Sequence, residues 1–94
     1  MLVHVVLMRF IDPVQAPEAA ERLRRLADSV PHISSLSVGL DVTGSDLSYD
    51  LVLTTRHADS AELTAYQQHP DHQQLATWLG PLLTDRAVVD HLEP

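Results

Sequence analysis

The chain has 94 residues, of which 45% are hydrophobic, so we expect one folded domain spanning residues 1–94. Thirteen acidic residues outweigh six basic ones, all arginine, and the formal net charge of −7 argues against a nucleic-acid partner. The absence of cysteine excludes disulfides, thiolate catalysis and cysteine-based zinc sites.

The first predicted element is a strand from Leu2 to Phe10, which is apolar and β-branched at nearly every position. Alternation places His4, Val6 and Met8 on one face of this strand, so His4 points into a largely apolar layer. The run is too short to span a membrane, and Arg9 interrupts it before a signal-peptide core could form. We therefore expect a cytoplasmic protein without a membrane partner.

The first half of the chain then predicts one helix and two strands. The helix begins near Pro17, since proline is favoured at the first helical position, and it stops at Pro31. Alternation predicts a strand from Leu36 to Val42, and a further strand follows from Tyr49 to Thr55. The turn-forming residues between these two strands indicate a hairpin.

Two short helices and a closing strand are predicted in the second half. Asp59 and Glu62 match a capping box at the start of one helix. A further helix runs from Pro70 to Gly80, and the last strand covers residues 86–92.

The resulting order β-α-β-β-α-α-β predicts an α+β, ferredoxin-like sandwich with helices on one face of an antiparallel sheet. The strands are apolar on both faces, yet helices from one chain can cover only one of them. We therefore predict a homodimer with its sheets packed face to face.

The segment from Tyr66 to His72 concentrates groups that can transfer protons. Pro70 disfavours the α region for His69, so we expect a break between two helices, with Tyr66 before it and His72 after it. The positive potential at a helix N-terminus tends to keep His72 neutral, which makes it a candidate general base. Tyr66 can donate a hydrogen bond to a carbonyl oxygen on which charge develops.

The chain resembles the stress-responsive dimeric α/β-barrel (Dabb) family from about Leu2 to Leu92. Four segments carry the resemblance: Val3–Phe10, Ser48–Leu53, Tyr66–His72 and Val88–Asp90. The resemblance implies a dimeric α+β barrel and, as in a plant polyketide cyclase of the family, a base at His72 and a carbonyl-polarising phenol at Tyr66. It also implies that Asp90 supports His72 and that His4 and His69 lie near the substrate.

Asp50 departs from the family pattern, because the plant cyclase has a histidine at this position. We expect the substrate pocket to be lined along the first and third strands by Val6, Met8, Val52 and Thr54. His32, His57 and His91 fall in or near predicted loops and chain ends, where we expect solvated surface.

The predicted function is therefore a cyclase- or lyase-type enzyme that acts on a polyketide-like or carbonyl-rich small molecule. The alternative is a stress-associated or ligand-sequestering protein whose dimer, or a higher ring of dimers, carries no chemistry. A pocket of about 300 Å³ or more reaching His72 would favour the enzyme. A cofactor-independent oxygenase also fits, because it too forms a carbanion. No cofactor motif is present, and the spacing of His4, His69 and His72 argues only weakly for a metal, so we predict neither cofactor nor metal.

Overall fold

The computed structural model describes residues 1–94 and contains the predicted order of elements. The strands and helices are β1 (Leu2–Phe10), α1 (Ala16–Ser29), β2 (Ser35–Leu40), β3 (Leu51–His57), α2 (Ser60–Gln68), α3 (Pro70–Leu79) and β4 (Leu83–Leu92). Short 3-10 turns, Pro13–Gln15 and Gly80–Leu82, precede α1 and β4. No helix has the length and apolar character required to cross a membrane.

The four strands form one antiparallel sheet in the order β2-β3-β1-β4. The apolar strand β1 lies inside the sheet, where it pairs with β3 on one side and β4 on the other. Its register places His4 opposite Thr55 of β3 and opposite Asp90 of β4. The ferredoxin-like fold and the β2–β3 hairpin are thus confirmed.

The hydrophobic core lies between one face of this sheet and the helices. Ala19 and Ala20 of α1 are completely buried, and their small side chains let the helix approach the sheet closely. Val6, Met8 and Phe10 of β1 enter the same core, as the alternation predicts. Burial of this apolar surface is the main force that holds the helices against the sheet.

Local signals set the helix boundaries as expected. The side chain of Asp59 accepts a hydrogen bond from the backbone N–H of Glu62 at 2.9 Å and caps α2. The reciprocal half of the predicted capping box is missing, because the Glu62 carboxylate contacts Nδ1 of His32 at 2.9 Å instead. His69 ends α2 and caps α3, in the extended conformation that Pro70 favours.

Three strand boundaries differ from the prediction. β3 begins and ends two residues later than expected, because its last residue, His57, still pairs with Leu2 at the start of β1. β2 ends at Leu40 rather than Val42, since the turn that contains Gly44 begins earlier. β4 begins at Leu83, which pairs with Phe10 across an irregularity in the register.

The substitution Leu51→Ala is expected to lower the free energy of unfolding by about 2–5 kcal/mol, because truncating a buried leucine leaves a cavity. Leu51 is 2% exposed, whereas Leu47 is 90% exposed and serves as the matched control. Leu47→Ala should change the free energy by less than about 0.5 kcal/mol. Urea unfolding at one protein concentration measures both variants, and equal losses would contradict the core described above.

Candidate functional site

A partly enclosed cavity of about 220 Å³ lies between the sheet and the helices. Its polar lining consists of His4, Tyr66, Gln67, His72 and Arg86. The remaining wall is formed by apolar residues and one glycine, among them Val6 and Met8 of β1 and Leu75 and Leu79 of α3. The cavity therefore has the mainly apolar wall with a few convergent polar groups that is typical of small-molecule sites.

Tyr66 is one of two cavity-lining residues that hold a buried polar atom without a partner in the protein. It lies in the last turn of α2 and is completely buried, and its hydroxyl has no hydrogen-bond partner in the protein. Burial raises the pKa of Tyr66 to about 12, although the charge of Arg86 opposes the shift. The phenol is therefore protonated at neutral pH and free to donate to a ligand.

His72 supplies an unused ring nitrogen. It occupies the first turn of α3, as predicted, and its Nδ1 is buried without a hydrogen-bond partner. Burial lowers the pKa of His72, and the nearby charges of His4 and Arg86 lower it further, while the backbone of Gln67 opposes the shift. The imidazole is accordingly neutral near pH 7, the form in which it can accept a proton.

The break at Pro70 brings these two groups together. The ring centroids of Tyr66 and His72 are 4.7 Å apart, with the rings inclined at 70°. The two residues therefore face a common corner of the cavity, as the sequence predicts. Two buried side-chain nitrogen or oxygen atoms have no hydrogen-bond partner in the protein, and these are Oη of Tyr66 and Nδ1 of His72.

Asp90 differs from its predicted role. Its carboxylate contacts Nδ1 of His4 at 2.5 Å, because the two residues are direct partners in the β1–β4 register. Its predicted hydrogen bond to His72 is not present. A histidine that donates through Nδ1 to a carboxylate presents its other nitrogen as an acceptor. His4 lines the cavity, so the carboxylate-supported imidazole of this site is His4.

Two predicted substrate-contacting residues lie outside the cavity. Val52 pairs with Leu7, so it lies on the face of the sheet away from the helices. Thr54 pairs with Val5 and lies on the same face. The cavity face of β3 carries Leu53 instead, since this residue lies opposite Val6. The prediction was wrong because β3 carries aliphatic side chains and threonines on both faces, so the sequence pattern did not show which face meets the helices.

His69 also does not line the cavity. Its Nδ1 accepts a hydrogen bond from the backbone N–H of Asp71 at 3.1 Å, so the side chain caps α3. No group of three or more histidine, cysteine or carboxylate residues lies close enough together to hold a metal ion.

The expectation that His57 is solvated is wrong. His57 is the last residue of β3 and is completely buried, with its ring centroid 5.1 Å from that of Tyr66. Its Nδ1 donates to the carbonyl of His32 at 2.7 Å, and Nε2 accepts from the hydroxyl of Thr55 at 2.8 Å. His57 therefore packs beside Tyr66 as a neutral imidazole with both nitrogens satisfied.

His32 and His91, which were also predicted to be solvated, lie at or near the surface. His32 is half-buried and contacts Glu62, whereas His91 is exposed on β4. Extending β3 by two residues in the same alternation would have placed His57 on the core face. The sequence carried no comparable signal for Arg86, which enters the site only through the pairing of β4 with β1.

The sheet order and the helix-covered cavity define a ferredoxin-like α+β protein. Residues 2–92 match the sequence model of the Stress responsive A/B Barrel Domain (Dabb) family, and the chain belongs to this family. The resemblance predicted from the sequence is thereby confirmed. No curated protein matches the chain significantly in sequence.

Solved structures share the fold across nearly the whole chain. A dimeric ferredoxin-like protein of unknown function from Thermobifida fusca is 25% identical, with a TM-score of 0.85 over 98% of this chain and 90% of that one. A Dabb family protein from Mesorhizobium loti is 16% identical, with a TM-score of 0.81 and coverage of 99% and 96%. The hydroxynitrile lyase from Passiflora edulis is 13% identical, with a TM-score of 0.84 and coverage of 99% and 93%.

Acidification should destabilise the protein in part through His57. Burial lowers the pKa of His57 below its usual 6.5, although its hydrogen bond to His32 opposes the shift. Below about pH 6.5 the unfolded chain binds a proton at this residue more readily than the folded chain does. The free energy of unfolding therefore decreases as the pH is lowered. The thermal midpoint of His57→Gln should therefore fall less than that of the wild type between about pH 7.5 and about pH 5.5.

The control for this experiment is His91→Gln, which removes an exposed histidine and should keep the wild-type pH dependence. His72 contributes in the same direction as His57, because burial lowers its pKa as well. The His57 variant is therefore expected to reduce the pH dependence without abolishing it. Identical pH dependence in the wild type and His57→Gln would contradict a buried neutral imidazole.

Proposed function

We propose that the protein is an acid–base enzyme of the lyase or cyclase type that acts on a small carbonyl compound. The observation that carries this proposal is that Tyr66 and His72, which both line one cavity, each hold a buried polar atom without a partner in the protein, Oη and Nδ1. Leaving a buried polar group without a partner costs roughly 1–3 kcal/mol. A ligand that accepts from the phenol and offers a proton to the imidazole would satisfy both groups.

The chemistry follows from the protonation states of the two residues. His72 accepts a proton from the carbon next to a carbonyl group, and the electron pair left behind moves onto the carbonyl oxygen. The Tyr66 hydroxyl donates a hydrogen bond to that oxygen and stabilises its developing negative charge. The resulting enolate can attack a second carbonyl within the same molecule or expel a leaving group. His4, supported by Asp90, adds a second imidazole beside this reaction.

The size of the cavity limits the substrate. Its volume of about 220 Å³ is below the roughly 300 Å³ that would favour an enzyme over a ligand-sequestering protein, so cavity size by itself does not support catalysis. For an enzyme, this volume favours a short carbonyl compound over a long polyketide chain. A structural neighbour from Passiflora edulis is a hydroxynitrile lyase, so the fold accommodates a lyase.

Proton abstraction can be tested without knowledge of the natural substrate, through exchange of the α protons of butanone with solvent deuterium. His72→Ala should reduce the protein-catalysed exchange rate by about 10²-fold or more, because it removes the base. Tyr66→Phe should reduce it by about 10²-fold, because it removes only the donor to the enolate oxygen. Proton NMR follows the exchange directly.

His91→Ala is the control, since this exposed histidine lies outside the cavity. The same assay on His4→Ala and Asp90→Asn measures the contribution of the second imidazole. Wild-type exchange rates in both the His72 and Tyr66 variants would rule out the proposed roles. Saturable butanone binding without any exchange would favour the ligand-sequestering alternative, and oxygen uptake would favour an oxygenase.

We also propose that the protein is a homodimer whose two sheets pack face to face. On the face away from the helices, Val5, Leu7 and Val52 are only half-buried, and Val89 is 61% exposed. An apolar sheet face of this kind is normally covered in a soluble protein. The structural neighbour from Thermobifida fusca is described as dimeric, which supports this proposal.

Val89→Arg is expected to convert the dimer into a monomer, because it would bury a charge at the proposed interface. Val14→Arg is the matched control, since Val14 is 82% exposed and lies in the 3-10 turn before α1. Sedimentation velocity measures the mass of each variant, while circular dichroism checks that each remains folded. A folded Val89→Arg variant with the wild-type mass would refute the proposed interface.

A further inference from the structure

Arg86 of β4 places a cation at the cavity that holds Tyr66 and His72. It pairs with Met8 of β1, so its side chain shares the cavity face of the sheet. Arg86 is otherwise exposed, which places it where the cavity meets solvent. A ligand that reaches Tyr66 and His72 from outside would therefore pass close to this guanidinium group.

The charge of Arg86 has no partner within the protein. Arg9, Arg22, Arg24 and Arg56 each form an ion pair with a carboxylate, whereas Arg86 and Arg25 form none, and of these two only Arg86 lines the cavity. The neighbouring carboxylate of Asp85 lies on the opposite face of β4, where it contacts Arg9.

The cavity lining contains no aspartate, no glutamate and no other arginine. An unpaired cation at the one cavity with unused catalytic groups is unexpected in a chain with a formal net charge of −7. The local charge therefore points to a ligand and not to the internal balance of the protein.

We propose that the substrate is a small keto acid whose carboxylate binds Arg86 while its ketone lies between Tyr66 and His72. This inference rests on the proposed acid–base function and names the substrate class of the same site. A planar guanidinium can bind both oxygens of a carboxylate at once, which fixes the orientation of the ligand as well as its affinity.

Substrate binding would also change the base. The charge of Arg86 is one of the influences that lower the pKa of His72. A carboxylate bound to Arg86 would offset that charge, so His72 would become a stronger base when the substrate is present. Recognition and proton transfer would then be coupled through one arginine.

Binding of 4-oxopentanoate, a stable keto acid, compared with its neutral methyl ester tests the proposal without any need for turnover. Titrations followed by ¹H–¹⁵N NMR should show that the wild type binds the acid about tenfold or more tightly than the ester. Arg86→Gln should lose this preference and bind the acid about tenfold or more weakly, while its affinity for the ester stays the same.

Arg25→Gln is the matched control, because Arg25 also forms no ion pair but lies outside the cavity. This variant should bind both compounds like the wild type. Equal affinity of the wild type for acid and ester, undiminished binding of the acid by Arg86→Gln, or no saturable binding of the acid would each overturn the proposal. Butanone carries no carboxylate, so its exchange by the wild type tests the acid–base function separately from carboxylate recognition.

Discussion

Pro70 prevents the chain from continuing as one helix after Gln68, and the candidate site depends on this interruption. The residue before a proline is excluded from the α region, so His69 adopts an extended conformation between α2 and α3. Tyr66 then ends one helix while His72 begins the next, and their rings meet at a centroid distance of 4.7 Å. In an uninterrupted helix, side chains six positions apart would lie on different faces.

The polar groups around Tyr66 fall into two kinds. The two nitrogens of His57 both have partners, and Nδ1 of His4 is held by Asp90, so these rings keep defined orientations. Oη of Tyr66 and Nδ1 of His72 are left without partners. Under the proposed function, a bound carbonyl compound would supply the missing partners.

Local signals in the sequence predicted the fold well. The apolar run of β1, the proline at the start of α1 and the Asp59 cap all act over a few residues, and each led to the correct element. The site was predicted less completely, since Asp90 supports His4 and not His72, and Val52 lies on the far face of the sheet. These errors concern which face a strand turns towards the helices and which residues meet across neighbouring strands.

The sequence by itself determined the order of the elements and the corner that joins Tyr66 to His72, because local backbone preferences and short-range periodicity control both. The family was indicated by the resemblance of four sequence segments. Only the tertiary structure decided that His57 is buried beside Tyr66, that Asp90 holds His4 and that Arg86 reaches the cavity. These contacts depend on strand register, and a shift of one residue would turn every side chain of a strand to the other face. A strand that is apolar on both faces does not specify that register through its own pattern, so packing against the helices and the neighbouring strands must select it.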